Sequence, residues 1–277
     1  MTERQTIHLD LDHVLETLRR GVRRSDVFMG IGLNAAENNP PVSHILAPDN
    51  VHTIHLVKEN LTDQEKEHVA REFGKWVRAN GLRELLETFS IFMFELYQVV
   101  FYLLRYRDKL GALEHYPPPK FELMGIGAQI EKLTEAITVP KNDVRVIRSL
   151  NQARNCYAHR RGLVGEADID KDTDIFSLVW TAFQMEILEP DGNVVSEPDM
   201  FGRTFEKGGI MQMRVVERKK DTQRGEELMV EKRELKEICL CVLSVGQRLF
   251  NETVGHARRE GILAEKVSDN LDDPKPV

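Results

Sequence analysis

The sequence predicts a mainly helical fold, a helical bundle with a small antiparallel β insertion before its last long helix. Apolar residues recur at helical spacing over several long segments. Proline and glycine clusters separate those segments, and one stretch between them is rich in β-forming residues. We expect a helical domain over 61–260 with the insertion at about 170–230, an N-terminal segment over 1–60 that is a candidate small lobe, and a C-terminal tail over 261–277.

The first sixty residues show a mixed pattern. Leu11–Arg24 has the apolar spacing of a helix, and Val51–Val57 has the composition of a short strand. The run Asn38-Asn39-Pro40-Pro41 breaks any regular element between them.

Two helices are predicted next. The first begins at Thr62, because Glu65 three residues later completes a capping box. We expect it to end after Arg78, at Asn80-Gly81. The second helix runs over Leu82–Lys109.

The most apolar stretch of the chain, Phe89–Leu104, lies inside that second helix. It is shorter than a membrane span and contains Glu95 and Gln98. It therefore predicts a buried central helix and no membrane partner.

The C-terminal half alternates helix and strand. Helices are predicted over Phe121–Thr138 and Asn142–Arg161, the latter with Gly162 as its C-cap. A strand is predicted at Ile175–Leu188. The remaining predicted elements are a hairpin around Gly225 formed by Ile210–Arg218 and Glu226–Val230, and a last helix over Glu231–His256.

The composition is that of an ordinary globular protein, with 41% hydrophobic and 30% charged residues. The net charge of −7 argues against a surface coated in basic residues, although a local basic site remains possible. Three cysteines and no apparent secretory leader predict a cytoplasmic protein without disulfides. The alternating acids Asp168, Asp170, Asp172 and Asp174 lack the glycine and glutamate of a calcium loop, so they predict a solvated acidic loop. No metal or cofactor is expected.

One polar stripe on the helix over Asn142–Arg161 is the candidate functional surface. Helical spacing places five of its polar residues along one line: Arg145, Arg148, Gln152, Asn155 and His159. A second line of the same helix can face the core: Val146, Leu150, Ala153 and Tyr157. The polar stripe contains no carboxylate, and such a surface suits an anionic ligand such as phosphate.

The segment Arg154-Asn155-Cys156-Tyr157-Ala158-His159 resembles the signature of the HEPN family, in which four to six residues, the first commonly asparagine, separate an arginine from a histidine. The resemblance is specific over about twenty residues and diffuse over about Leu61–His256. It does not cover the first sixty residues or the β insertion.

The resemblance implies a HEPN-like helical bundle and a metal-independent endoribonuclease whose active site is shared across a homodimer. His159 would act as general base or acid on the ribose 2′-hydroxyl and the leaving 5′-oxygen. Arg154 would hold the scissile phosphate, and Asn155 would orient the phosphate or the imidazole. The products would be a 2′,3′-cyclic phosphate and a 5′-hydroxyl.

Further expectations concern partners. Arg145, Arg148, Gln152, Arg160 and Arg161 are candidate RNA- or phosphate-binding residues around that motif. The family also implies a role as a bacterial toxin or antiphage effector, with an antitoxin or a defence-system protein as partner.

Three alternatives stay open. Arg154 can be a structural ion-pair partner, and His159 an ordinary cation at a helix C-terminus. The fold can serve a non-catalytic RNA- or nucleotide-binding module. It can also serve a structural interaction protein.

Overall fold

The computed structural model describes residues 9–38, 43–45, 58, 60–197 and 199–261. Its longer elements, in chain order, are α1 Leu11–Asn38, α2 Asp63–Tyr106, α3 Pro118–Glu122, α4 Ile126–Thr134, α5 Lys141–Arg160, β1 Ile175–Leu188, β2 Val194–Ser196, β3 Ile210–Gln223 and α6 Lys232–Arg259. A short 3-10 helix, Gly111–His115, follows α2. The strand predicted at Val51–Val57 and the tail from residue 262 onward lie outside the described residues. The protein is mainly helical with a small antiparallel sheet, as the sequence predicted.

The central element is α2, which contacts α1, α4, α5 and α6. Its apolar stretch Phe89–Leu104 supplies side chains that are completely buried, among them Phe89, Phe92 and Leu96. By length and composition α2 is the one described helix that could cross a membrane, but 56% of the qualifying window is buried within the fold. This degree of burial is that of the core helix in a soluble domain.

The predicted helix end at Asn80-Gly81 is wrong, because α2 continues through it without a break. A Cβ on Gly81 would overlap the side chain of Met29 on α1, and a Cβ on Gly21 of α1 would overlap Thr88 on α2. These glycines allow the two helices to approach closely. The packing gained there outweighs the low helix propensity of glycine, which costs about 1 kcal/mol per position.

The helix predicted over Leu11–Arg24 is present and extends to Asn38. Leu18 is fully buried, and a Cβ on Gly246 of α6 would overlap it. The described part of the N-terminal segment therefore shares the core of the helical domain.

Several predicted helix ends are close to the observed ones. The capping box at Thr62 and Glu65 is present at the start of α2. The helix predicted over Phe121–Thr138 instead forms two short helices, α3 and α4, because the chain turns between Leu123 and Gly125. Arg161 rather than Gly162 is the C-cap of α5, in the left-handed conformation with φ 53°.

The β insertion is a three-stranded antiparallel sheet in the order β2-β1-β3. The strand predicted at Ile175–Leu188 is confirmed as β1. It pairs with β3 over fourteen residues, from Ile175 opposite Gln223 to Leu188 opposite Ile210. The sheet places one face of β1 against the helices, and its far end extends beyond them.

The predicted hairpin between Ile210–Arg218 and Glu226–Val230 is wrong. β3 pairs with β1 because β1 offers a partner of equal length. The residues after Gly225 return instead to the end of α5: Val164 donates a backbone hydrogen bond to Glu226 at 2.9 Å, and Leu228 donates to Gly162 at 2.8 Å.

Candidate active site on helix α5

The position of α5 is fixed by its apolar line. Val146, Leu150, Ala153 and Tyr157 are all buried, as predicted. The Tyr157 hydroxyl donates to the backbone oxygen of Leu228, beyond the sheet. Burial raises the pKa of Tyr157, so this donor keeps its proton. The opposite faces of α5 are therefore held in a defined orientation.

The N-terminal cations of the polar stripe are neutralised by carboxylates from other elements. Arg145 forms an ion pair with Glu217 on β3, and Arg148 forms one with Glu131 on α4. Both arginine side chains remain about half exposed, at 49% and 54%. The stripe is free of carboxylates on its own helix, yet it is not a surface of unpaired positive charge.

Arg154 and Asn155 lie together, because they are adjacent and linked by a hydrogen bond. Arg154 Nη1 donates to Asn155 Oδ1 at 2.8 Å. Arg154 Nη2 lies 3.9 Å from Glu87 Oε1 on α2. The same Glu87 oxygen forms an ion pair with Arg83 Nε at 3.1 Å. Arg154 Nε is buried and has no hydrogen-bond partner among the described residues. The Arg154 guanidinium is thus held in place by Asn155, while part of its hydrogen-bonding capacity is unused among the described residues.

Arg154 and Asn155 line a cavity of about 770 Å³ between α2, α5 and the start of α4. Apolar side chains, including Phe94 and Met124, form part of its wall. Polar groups line the rest: Ser90, Gln98, Gln129, Asn151, Arg154 and Asn155. Three carboxylates also reach it, from Glu87, Glu95 and Glu122. The cavity can bind a ligand that presents both an apolar surface and hydrogen-bonding edges.

Glu95 is the unusual acid of this cavity. Its Oε2 atom is buried without a hydrogen-bond partner among the described residues, and its Oε1 lies 3.6 Å from His13 Nε2. Desolvation raises the pKa of the Glu95 carboxyl, and this effect outweighs the opposing influence of the nearby Thr17 hydroxyl and His13. Its presence within the apolar stretch of α2 was the one signal in the sequence that could have identified it.

His159 lies elsewhere on the surface. It is exposed, and within the described residues its imidazole makes no hydrogen bond or ion pair. It stands one turn beyond Asn155 on α5, so the two side chains share a helix face. His159 does not line the cavity itself. Within one copy, the structure brings Arg154 and Asn155 together at the cavity and places His159 outside the cavity lining.

The remaining candidate residues divide into two kinds. Arg160 is held by Asp168, with Nε donating to Oδ2 at 2.6 Å, and this bond raises the pKa of Arg160. Asp168 is 4% exposed, so the prediction that it belongs to a solvated loop is wrong. Gln152 and Arg161 are exposed. Their side chains have no described partner, so they remain accessible to a ligand.

The carboxylates that pair with Arg145, Arg148 and Arg154 could not be identified from the sequence. Glu87, Glu131 and Glu217 lie on three different elements, and nothing in their local sequence links them to α5. Within the described ranges, no cluster of three or more His, Cys, Asp or Glu side chains is arranged to hold a metal ion. A comparison of the chain with protein-family models, curated proteins and solved structures finds no match.

Proposed function

We propose that this protein is a metal-independent endoribonuclease of HEPN type that binds RNA along α5. The proposal rests on the position of Arg154 at the cavity and on the hydrogen bonds of its guanidinium. Its guanidinium is oriented by Asn155, faces a cavity and retains a buried Nε without a described partner. The Arg154 side chain is 26% exposed, so its guanidinium can donate a charge-assisted hydrogen bond to a phosphate oxygen in the cavity.

The exposed His159 supplies the second function that cleavage requires. An imidazole can act as either general base or general acid, so it can accept the proton of a ribose 2′-hydroxyl or donate one to the leaving 5′-oxygen. Attack of the 2′-oxygen on phosphorus then breaks the bond to the 5′-oxygen and leaves a 2′,3′-cyclic phosphate. Arg154 would stabilise the charge that develops on the phosphate.

The separation of His159 from the cavity favours a site completed by a second copy. In this arrangement the RNA phosphate lies between Arg154 of one protomer and His159 of the other. Arg161 and Gln152 are accessible for flanking contacts, whereas Arg145, Arg148 and Arg160 must exchange a carboxylate partner to bind phosphate. A toxin or antiphage role, with an antitoxin or defence-system partner, is proposed on the family resemblance alone.

The test is cleavage of RNA by the purified protein in the presence of EDTA. We expect cyclic-phosphate ends from the wild type and no cleavage from His159→Ala. Since His159 is exposed, this variant should keep the unfolding midpoint of the wild type. His68→Ala, an exposed histidine of α2, is the matched control and should cleave normally. Cleavage by His159→Ala at the wild-type rate would reject the proposal.

A second candidate is a nucleotide-binding module without catalysis. The carboxylates Glu87, Glu95 and Glu122 in the cavity lining favour a neutral nucleobase over a phosphate there. Glu95 Oε2 is an acceptor and Arg154 Nε a donor, both buried and without described partners. Both residues line the cavity, and a neutral nucleobase could pair with the polar groups there without repulsion from the carboxylates. Equilibrium binding of nucleoside monophosphates, lost in Glu95→Ala and unaccompanied by RNA cleavage, would support this candidate over the nuclease.

A further inference from the structure

The outer edge of β3 is an unusual feature of this fold. β3 is fourteen residues long and occupies one side of the sheet. Among the residues that the structure describes, no strand pairs with its free edge. A long free edge exposes a row of backbone donors and acceptors to pairing with another strand.

The end of this edge distant from the helices is apolar. Met211, Met213 and Val215 alternate along β3 and therefore share one face of the sheet. They are 65%, 66% and 64% exposed. Their partners on β1 are Ile187, Met185 and Phe183, so the apolar face continues across both strands. Native edges usually carry charges or proline at such positions.

We propose that β3 pairs antiparallel with β3 of a second copy, about a two-fold axis at Met213. The occupant follows from the sequence of the strand itself. In this register Met213 faces its own symmetry mate, Met211 faces Val215 and Gln212 faces Arg214. Each apolar residue of the exposed face meets another apolar residue, and no like charges meet.

Neighbouring registers lack this match. An axis at Arg214 brings two arginines into direct opposition, and an axis at Val215 places Met213 opposite Glu217. An axis at Gln212 places Val215 opposite Gly209 and Ile210 opposite Arg214. Residues of like charge, or an apolar and a charged residue, are unfavourable directly opposite each other in an antiparallel strand pair. The two-fold axis at Met213 is therefore the preferred register.

The centre of this strand pairing lies apart from most of the surface proposed for RNA; the exception is Arg145, which pairs with Glu217, four residues along β3 from Met213. α5 contacts the sheet where Ser149 Oγ accepts from Val179 N at 2.7 Å, and Val179 lies opposite Lys219. Lys219 is six residues from Met213, about 20 Å along the strand. The inference thus stands without the proposed function, and a chain that used both surfaces would assemble beyond a dimer.

The first test is the mass of the full chain in solution, by light scattering across a range of concentrations. We expect at least twice the chain mass of 31.9 kDa. Met213→Lys would place two charges against each other at the axis, and should weaken the association by about tenfold or more. Ile31→Lys is the matched control, because Ile31 on α1 is 64% exposed, and it should keep the wild-type mass.

The second test fixes the register by oxidative cross-linking. Met213→Cys should form a disulfide-linked dimer, since position 213 faces itself. Val215→Cys alone should not, whereas the double variant Met211→Cys/Val215→Cys should. A wild type of 31.9 kDa at all concentrations, as when another segment of the chain covers β3, would overturn the proposal. Cross-linking of Val215→Cys as efficient as that of Met213→Cys would overturn the register.

Discussion

Arg248 on α6 donates two hydrogen bonds to Asp143 in the first turn of α5, from Nε to Oδ2 at 2.9 Å and from Nη2 to Oδ1 at 2.7 Å. Asp143 is 3% exposed, whereas the Arg248 side chain is 39% exposed. The bonds raise the pKa of Arg248. This pair ties the helix that carries the candidate active site to the last helix of the chain.

Removal of one partner of this pair should be costly. Arg248→Met leaves the Asp143 carboxylate buried without its counter-charge, so we expect a loss of about 3 kcal/mol in the free energy of unfolding. Urea denaturation measures it. The control is the double variant Asp143→Leu/Arg248→Met, which removes both charges and should recover most of the loss. An Arg248→Met protein as stable as the wild type would show that water replaces the arginine.

Stability should depend on pH through Glu65. Hydrogen bonds from Thr62 lower the pKa of this carboxyl from 4.5 to about 2. A lowered folded-state pKa stabilises the protein above the unfolded-state value, and this contribution is lost as pH falls from about 4.5 through about 2.

The comparison that isolates this effect uses Glu65→Gln. The stability difference between wild type and Glu65→Gln, measured by urea denaturation, should be largest near neutral pH and should vanish near pH 2. Thr62→Ala should show the same trend and also lose the cap itself, at about 1 kcal/mol. A difference that is constant over this pH range would contradict the assigned pKa.

Substitution of Arg161 should change the stability of the fold and the binding of RNA in opposite directions. Its left-handed φ of 53° strains any residue with a Cβ, so Arg161→Gly should stabilise the fold by about 0.5–1 kcal/mol. If Arg161 binds a flanking phosphate, the same variant should weaken RNA binding in a filter or fluorescence assay. Arg160→Ala is the control, and should be destabilised because it leaves Asp168 buried without its partner.

The three cysteines should be inert in the folded protein. All are buried, and desolvation raises the pKa of Cys156 to about 11 and that of Cys239 to about 12, and also raises that of Cys241. At pH 8 a thiol reagent should label them only after denaturant is added. Met213→Cys, at an exposed position, should react at once if it is not already cross-linked. Rapid labelling of the native wild type would show that the core opens locally.

Much of the fold could be predicted from local sequence. The capping box at Thr62, the strand Ile175–Leu188 and the buried line of α5 follow from spacing and side-chain chemistry within a few residues. Errors occurred where distant contacts outweigh local preference. Gly81 stays helical because Met29 packs against it, and Glu226–Val230 does not pair with β3 because β1 already does.

The sequence by itself determined which residues of α5 are buried and which polar groups share its other face, because helical periodicity is a local property. Only the tertiary structure decided which of the arginines of α5 are paired with a carboxylate. Glu217, Glu131 and Asp168 come from outside the helix to neutralise Arg145, Arg148 and Arg160, while the buried Nε of Arg154 has no partner among the described residues. Coulomb interactions depend on distance in space, and the order of residues along the chain does not encode that distance until the helices and the sheet are packed.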